Sequence, residues 1–460
     1  VKINESFLGF REIKDQSALG IEKEILSAID EKGLLLTKCR GQGYDGCANM
    51  SGVYKGVRRR IEQRQRTAKY VHCAAHNLNL VLNDAACEIQ EVRSFYDTVE
   101  MLYLFFSHSI KRWELLVSSY TLKKLCPTRW SSRYQSVKAL RYAYVDVLKA
   151  LSKIILISKK KEEREQAVAL KNQLEKFEFI FQIVLQSKIL ECTNLASQIM
   201  QSENVELDKA CSLIQNAADN LSCYRNNFEE AMSSATSLAK SWGIPPQFEN
   251  KRIRKVKKHF DELCQDERLV DRQIYFRTTV YNGCLDIIVA QLKNRFEGMH
   301  NVNHFFKIIF PKFLNSASDE EIHNAAVVLQ NEYEEDLSCE FPDQVIGFRN
   351  ALKKEIASLT SVADLTKLLV IENSIVAASV PDLCTAFYLF LTIPVTVSSA
   401  ERSFSKLKLI KNYLRNSMTQ DRLSELSLLS IECERARSID VSEIINTFAS
   451  QKARRMVQFH

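Results

Sequence analysis

From residue 57 to residue 242 the chain contains no glycine, and before Pro127 it contains no proline. These two residues interrupt regular structure more strongly than any others, so such a stretch predicts long, uninterrupted helices. Eight of the 12 glycines crowd into the segment from Gly9 to Gly56, where short strands and tight turns are expected instead. The glycine map therefore divides the chain into an α/β start, a large helical body and a distinct C-terminal segment.

Composition narrows the class. Hydrophobic residues make up 46% and charged residues 26% of the 460 residues, an ordinary globular balance that excludes a disordered tail, a collagen-like fibre and a coiled-coil rod. The longest apolar run, residues 383–395, is too short and too interrupted by threonine to span a bilayer, so no membrane partner is expected. Lys and Arg number 63 against 56 Asp and Glu, a net charge of +7, compatible with a phosphate-backbone partner. Thirteen cysteines without a single CxxC suit a reducing compartment and argue against a disulfide framework or a conventional zinc finger. The chain opens on Val1 without a starting Met, with Lys2 and Glu5 close behind; we expect a fragment with no signal peptide.

Along the first segment, residues 7–10 read as a strand. A helix follows, with Ile21, Ile25 and Ile29 at i, i+4, i+8, and Gly33 as its stop. Residues 34–39 read as a buried strand, and residues 41–46 as its turn-rich exit, carrying Asp45. A basic helix through Arg58, Arg59, Arg60, Arg64 and Arg66, a short strand at 69–73 and an amphipathic helix through Leu78 and Val81 complete the pattern. Residues 138–369 read as helical throughout. Trp242-Gly243-Ile244-Pro245-Pro246 breaks that body and leads into residues 251–258, six bases in eight residues, read either as an exposed linker or as a nucleic-acid or nuclear-import segment.

Several residues carry candidate chemistry. Asp45 follows a strand, where open α/β sheets place functional groups, although an Asp between glycines is usually a turn residue. Cys73 and His76 form a CxxH pair with no second ligand pair at finger spacing, which argues against structural zinc. Arg129 and Trp130 set a cation beside an aromatic able to stack on a base, while a Trp at a helix start is more often core. Ser398 and Glu401 have the spacing of a capping box at the start of a helix with Phe404, Leu407, Ile410 and Leu414 on one side. Glu401 needs no other role there, yet from a first helical turn it also reaches a metal.

These residues together carry a resemblance. The run from Cys39-Arg40-Gly41-Gln42-Gly43-Tyr44-Asp45-Gly46 to Asn49-Met50-Ser51-Gly52, the run Tyr70-Val71-His72-Cys73-Ala74-Ala75-His76-Asn77-Leu78, the pair Arg129-Trp130 and the segment 398–416 closely resemble hAT-superfamily transposases. More narrowly they resemble domesticated hAT transposase-derived proteins of the MYM-type zinc-finger and protein-kinase-inhibitor-repressor kind. The resemblance runs through the chain in order. It implies an RNase H-like core interrupted by a large α-helical insertion and completed by a C-terminal hAT dimerisation segment. It also implies a DDE carboxylate triad working with two divalent ions, Mg²⁺ or Mn²⁺. Asp45 resembles the second Asp and Glu401 the Glu. Trp130 resembles the base-stacking aromatic, with Arg129 beside it, and Cys73 and His76 resemble the CxxH motif close to the DNA-binding active site.

The corresponding domains are expected at 1–137 (first part of the RNase H-like core, its first strand missing), 138–370 (helical insertion), 371–435 (dimerisation region completing the core) and 436–460 (tail). The family's first catalytic Asp belongs to a strand upstream of residues 7–10. Asp15 and Asp30 fall in a loop and at a helix end and are no substitutes, and the family's N-terminal zinc-binding module is not expected within these residues. Two readings stay open. One is a nuclear, DNA-binding, dimerising protein without catalysis, needing no cofactor. The other is a fragment of an active transposase that cuts and joins DNA with two metals. Either way Asp45 and Glu401 are expected to face one cleft with Trp130 beside it, and self-association is expected through residues 375–432.

Overall fold

The computed structural model describes residues 3–126, 130–202, 205–249, 271–412, 415 and 417–450. They are mostly helical around a two-stranded parallel sheet. Strand β1 is Gly41–Tyr44 and β2 is Lys69–His72, paired in the register Gly41↔Lys69 to Tyr44↔His72.

The first helix, α1 (Ala18–Glu31), starts where the Ser17 side chain accepts from the Gly20 N–H. It ends in a Schellman motif: Leu34 N–H donates to the Ile29 carbonyl at 3.0 Å and Gly33 N–H to that of Asp30 at 2.9 Å, with Gly33 at φ +66°. The basic helix α2 (Val57–Arg64) packs on α1 around Val57 and Ile61. Glu22 of α1 is almost fully buried beneath it, bonded by Arg60 Nη1 at 3.0 Å and Arg64 Nε at 2.8 Å.

Three readings of the first segment need correction. Residues 7–10 form no strand: Gly9 sits at φ +142°, and their backbone is held by side chains, with Gln420 Nε2 and Ser424 Oγ donating to the Phe10 carbonyl and Phe7 N–H donating to Glu432. Residues 34–39 are no buried strand either. Leu34 and Leu35 are exposed, and Leu36–Lys38 is a single 3₁₀ turn. The strand lies instead in the glycine-rich run taken for its exit. Local propensity argues against strand at Gly41 and Gly43, but a close approach from the C-terminal part of the chain requires glycine there.

Beyond β2, α3 (Ala74–Glu88) and α4 (Gln90–Ser107) lead into the body. There α5 (Trp130–Ile157), α7 (Leu207–Arg225) and α8 (Phe228–Ser241) surround α6 (Phe177–Met200). Helix α6 buries apolar side chains on all its faces, as the centre of a bundle must. The break expected at residue 242 is a second Schellman motif: Ile244 N–H donates to the Ala239 carbonyl and Gly243, at φ +73°, donates to that of Lys240. It lays Trp242 flat on Tyr144, ring centroids 3.9 Å apart.

Helix α9 (Gly283–Phe305) packs on α7 and also on α3 and β2, joining body to sheet. The Arg295 carbonyl accepts from Asn77 Nδ2 at 2.9 Å, and the Arg295 guanidinium pairs with Asp84. One apolar cluster runs from Val71 to Val395. The apolar run at 383–395 belongs to it: in α10 (Pro381–Thr392), Leu383, Ala386, Phe387 and Phe390 are buried, so this run closes the core. Helices α11 (Ser398–Ile410), α12 (Gln420–Ile431) and α13 (Ser442–Ser450) end the described chain. No helix among the described residues is long and apolar enough to cross a membrane.

Burial alone would push the Glu22 carboxyl up, but the bonds and charges of Arg64 and Arg60 outweigh it and hold the group below its ordinary value. The stability it contributes is therefore present at neutral pH and lost as pH falls through the lowered native value. Glu22→Gln should cost about 1–2 kcal/mol at pH 7, less than a fully buried pair because Arg64 stays open to water. Urea unfolding of both proteins checks this, and the difference between them should shrink in acid.

Candidate functional site

The parallel pairing of β1 and β2 brings the carboxyl ends of both strands to one side of the sheet. Asp45 leaves β1 there and Cys73 leaves β2, joined by a bond from Cys73 N–H to the Tyr44 carbonyl at 3.0 Å. The segment between α10 and α11 closes onto the same place. Pro394 lies across the glycines, so that a Cβ on Gly41 would sit 2.7 Å from Pro394 Cδ and one on Gly43 3.1 Å from Pro394 Cβ. Ala74 N–H donates to the Val395 carbonyl at 3.0 Å, and Val397 N–H to Cys73 Sγ at 3.4 Å; Thr396 Oγ1 lies 3.6 Å from the same sulfur.

Cys73 is thus a buried fastener between strand β2 and the start of α11. Its partner in the CxxH pair, His76, is a ring neighbour of His72, centroids 5.8 Å apart, and the row continues through Tyr70 to Tyr44. Gly46 packs directly on His72: a Cβ there would meet the imidazole at 2.7 Å. Burial, with the charges of His76 and Arg295 adding to it and Asp45 opposing, pushes His72 down to about 4. The ring is neutral at physiological pH, and its buried Nε2 has no partner among the described residues.

The elements carrying Asp45 and Glu401 therefore meet around Cys73, one residue past β1 and in the first turn of α11. Both side chains are exposed. The expected capping box is absent. Helix α11 begins after Val397 with no side-chain cap, and Ser398 lies inside its first turn with Oγ 3.0 Å from Thr396 Oγ1. The tie that Thr396 makes locally replaces the Ser398–Glu401 exchange, leaving the Glu401 carboxylate outside any cap. Arg129 falls outside the described residues, as do the side chain of Trp130 and the basic run at 251–258.

Two divalent ions need several carboxylate oxygens held at fixed separation. Among the described residues no group of three or more His, Cys, Asp or Glu is arranged to hold a metal ion. Asp45 and Glu401 at this end of the sheet do not by themselves fit a two-metal centre.

The arginines of α2 and Arg66 have partners. Arg60 and Arg64 neutralise Glu22, Arg59 pairs with Glu62 at 3.5 Å, Arg66 with Glu332 at 3.5 Å, and Arg58 lies over the Tyr70 ring. Arg60 and Arg64 tie α2 to the buried Glu22, while Arg59, Arg64 and Arg66 stay more than half exposed. Sequence reasoning missed Pro394, Thr396 and Val397 altogether. The signal was the Gly41-x-Gly43 spacing, which puts two glycines on one strand face and implies that something approaches that face closely.

Residues 1–56 match the model of a ZMYM1/FAM200 RNase-like domain, and residues 366–458 match the hAT family C-terminal dimerisation region. Two curated relatives, each a 52 kDa repressor of the inhibitor of the protein kinase, come from Mus musculus and Homo sapiens. Each is 23% identical over 95% of this chain. The chain spans 59% of the length of each.

For His72, stability is fully present above the ordinary imidazole value of about 6.5 and is lost as pH falls from there towards the native value. Wild type should therefore lose stability between pH 7 and 5 more steeply than His72→Phe. Parallel slopes for the two proteins in urea unfolding would mean that His72 is not buried neutral.

Proposed function

We propose that this chain, a hAT transposase-like sequence with an RNase-like segment and the family's dimerisation region, works as a nuclear, dimeric DNA-binding scaffold and does not cut strands. Its fold is read as an RNase H-like core whose sheet-end residues come from both ends of the chain, with the helical body as an insertion. The ends of β1 and β2, capped by the start of α11, supply the frame, and the glycines at Gly43 and Gly46 keep that end compact.

One observation carries the dimer. Helix α13, inside the matched dimerisation region, contains no buried residue, yet Ile444 and Ile445, 58% and 53% exposed, share its surface with other apolar residues. A nine-residue helix is marginal in water without tertiary packing. Leu428 and Leu429 of α12, with Ile439 and Val441, extend the exposed apolar surface. A second copy of the same region supplies a self-complementary cover.

The reading without strand cutting draws on the ligand set among the described residues, two exposed carboxylates outside any group of three or more metal-ligating side chains. DNA affinity then requires no divalent ion. The competing reading, a metal-dependent nuclease, draws on the meeting of the Asp45 and Glu401 elements.

Ile444→Asp combined with Ile445→Asp should turn a dimer into a monomer by light scattering at micromolar concentration, with unchanged helical circular dichroism. A dimer that survives would place the interface elsewhere. Chelation with EDTA should leave duplex affinity unchanged, and Mg²⁺ or Mn²⁺ should produce no cleavage. Cleavage that disappears in Asp45→Ala and Glu401→Ala would establish the nuclease instead.

A further inference from the structure

We propose that one face of α5, with the extended segment laid beside it, takes single-stranded DNA; this rests on the DNA-binding reading above and names its surface. The positive charge of the chain is concentrated there. Residues 108–153 hold ten Lys and Arg against two acids, Glu114 and Asp146. That surplus exceeds the +7 of the whole chain, so the rest of the sequence taken together carries no net positive charge. Two of the ten bases are internal: Arg112 pairs with Glu163 at 3.3 Å, and Arg133 bonds Asn83 and lies over the Tyr96 ring. Lys111, Lys123, Lys124, Lys138, Lys149 and Lys153 are exposed and make no ion pair among the described residues.

Helical periodicity gathers these charges on one side. Lys138, Tyr142, Lys149 and Lys153 follow one another at i, i+4, i+11 and i+15, which places them within about 60° around the helix axis. The opposite side carries Leu140, Val147 and Leu151 into the core. Asp146 stands at the edge of the exposed face and makes no ion pair among the described residues. The segment 118–126 runs antiparallel beside the helix. Ser136 Oγ donates to the Lys123 carbonyl at 3.0 Å and Ser132 Oγ to that of Lys124 at 2.8 Å, while Leu122 and Leu125 are buried. This brings Tyr120 flat against Tyr142, centroids 4.7 Å apart and planes at 18°. Both tyrosines remain exposed, 46% and 54%. Lys138 Nζ lies 5.4 Å over the Tyr134 ring on the same face. A polyanion accounts for the lysines, but an acidic protein or a lipid headgroup leaves the open tyrosine stack without a use. A strand with unpaired bases uses both, phosphates against the lysines and a base against the stack. A closed duplex keeps its bases stacked on each other, so the fit is to a single strand.

The test is fluorescence anisotropy with oligothymidine of about a dozen nucleotides, within the site size of single-strand binders, over a series of salt concentrations. Lys138→Gln/Lys149→Gln/Lys153→Gln should lower the salt slope by about two, the share of three contacts on a single strand. Lys406→Gln/Lys408→Gln/Lys411→Gln, the same change of charge on exposed lysines elsewhere, should keep the wild-type slope. Tyr142→Ala should weaken binding about tenfold at an unchanged slope. Acetylation footprinting on wild type, which needs no variant, should show oligothymidine protecting Lys138, Lys149 and Lys153. A wild type that binds neither oligothymidine nor duplex at low salt removes the DNA-binding reading itself. A wild type that binds, with equal slopes in the two triple variants and no protection of the three lysines, overturns this inference alone. So does a Tyr142→Ala that binds as wild type does. Tighter binding of oligouridine would assign the surface to RNA, and protection by polyglutamate or anionic vesicles but not by DNA would assign it to another polyanion; either result overturns DNA as the partner.

Discussion

The structure depends on the closure of residues 393–397 over the end of a two-stranded sheet. Two parallel strands are not a stable unit, since parallel sheets survive only with both faces covered. Here Pro394 and Val397 cover the glycine face of β1. On the other side Gln42 reaches from β1 to the carbonyls of Arg58 and Ala68, and α9 packs against β2. The cover comes from residues more than three hundred positions away in sequence. Neither the RNase-like segment nor the dimerisation region is therefore complete without the other, and Cys73, bonded to both, is the point where they meet.

The distribution of charge follows from that closure. Arg40, leading into β1, is mostly buried and holds Asp336 with two bonds, 2.5 and 2.8 Å. With the arginines around Glu22 and the Lys69–Glu332 pair, it fastens the sheet to its surroundings. Such pairs contribute more to fixing geometry than to net stability.

Much of this was legible in the sequence, and the failures have physical causes. Helix α1 was readable because Ile21, Ile25 and Ile29 share a face and Gly33 ends it, both local facts. The body was readable because a long glycine-free stretch leaves little but helix. Strand β1 was not, because glycine disfavours strands locally and the reason for it, Pro394, lies far along the chain. The leucines at 34–36 looked like core only because hydrophobicity says nothing about what is nearby; they follow a Schellman turn that directs Leu34 and Leu35 into solvent. Likewise Ser398 and Glu401 had capping-box spacing, but Thr396, bonded to the Cys73 side, moved the helix start. The partners of Arg60, Arg64 and Arg66 were not legible, because Glu22 and Glu332 come from separate helices. Asp45, Glu401 and Cys73 were singled out by residue pattern, and their carriers do converge.

The central claim is that the two ends of the chain form one frame, with position 45 next to the first turn of α11. Spin labels introduced as an unnatural amino acid at positions 45 and 401, leaving the native cysteines untouched, measure this directly by pulsed electron paramagnetic resonance. The account predicts one narrow, short-distance population within each protomer, persisting when the dimer is dissociated. A broad distribution, or a long distance that shortens only on dimer formation, would show that the C-terminal region does not close on its own sheet.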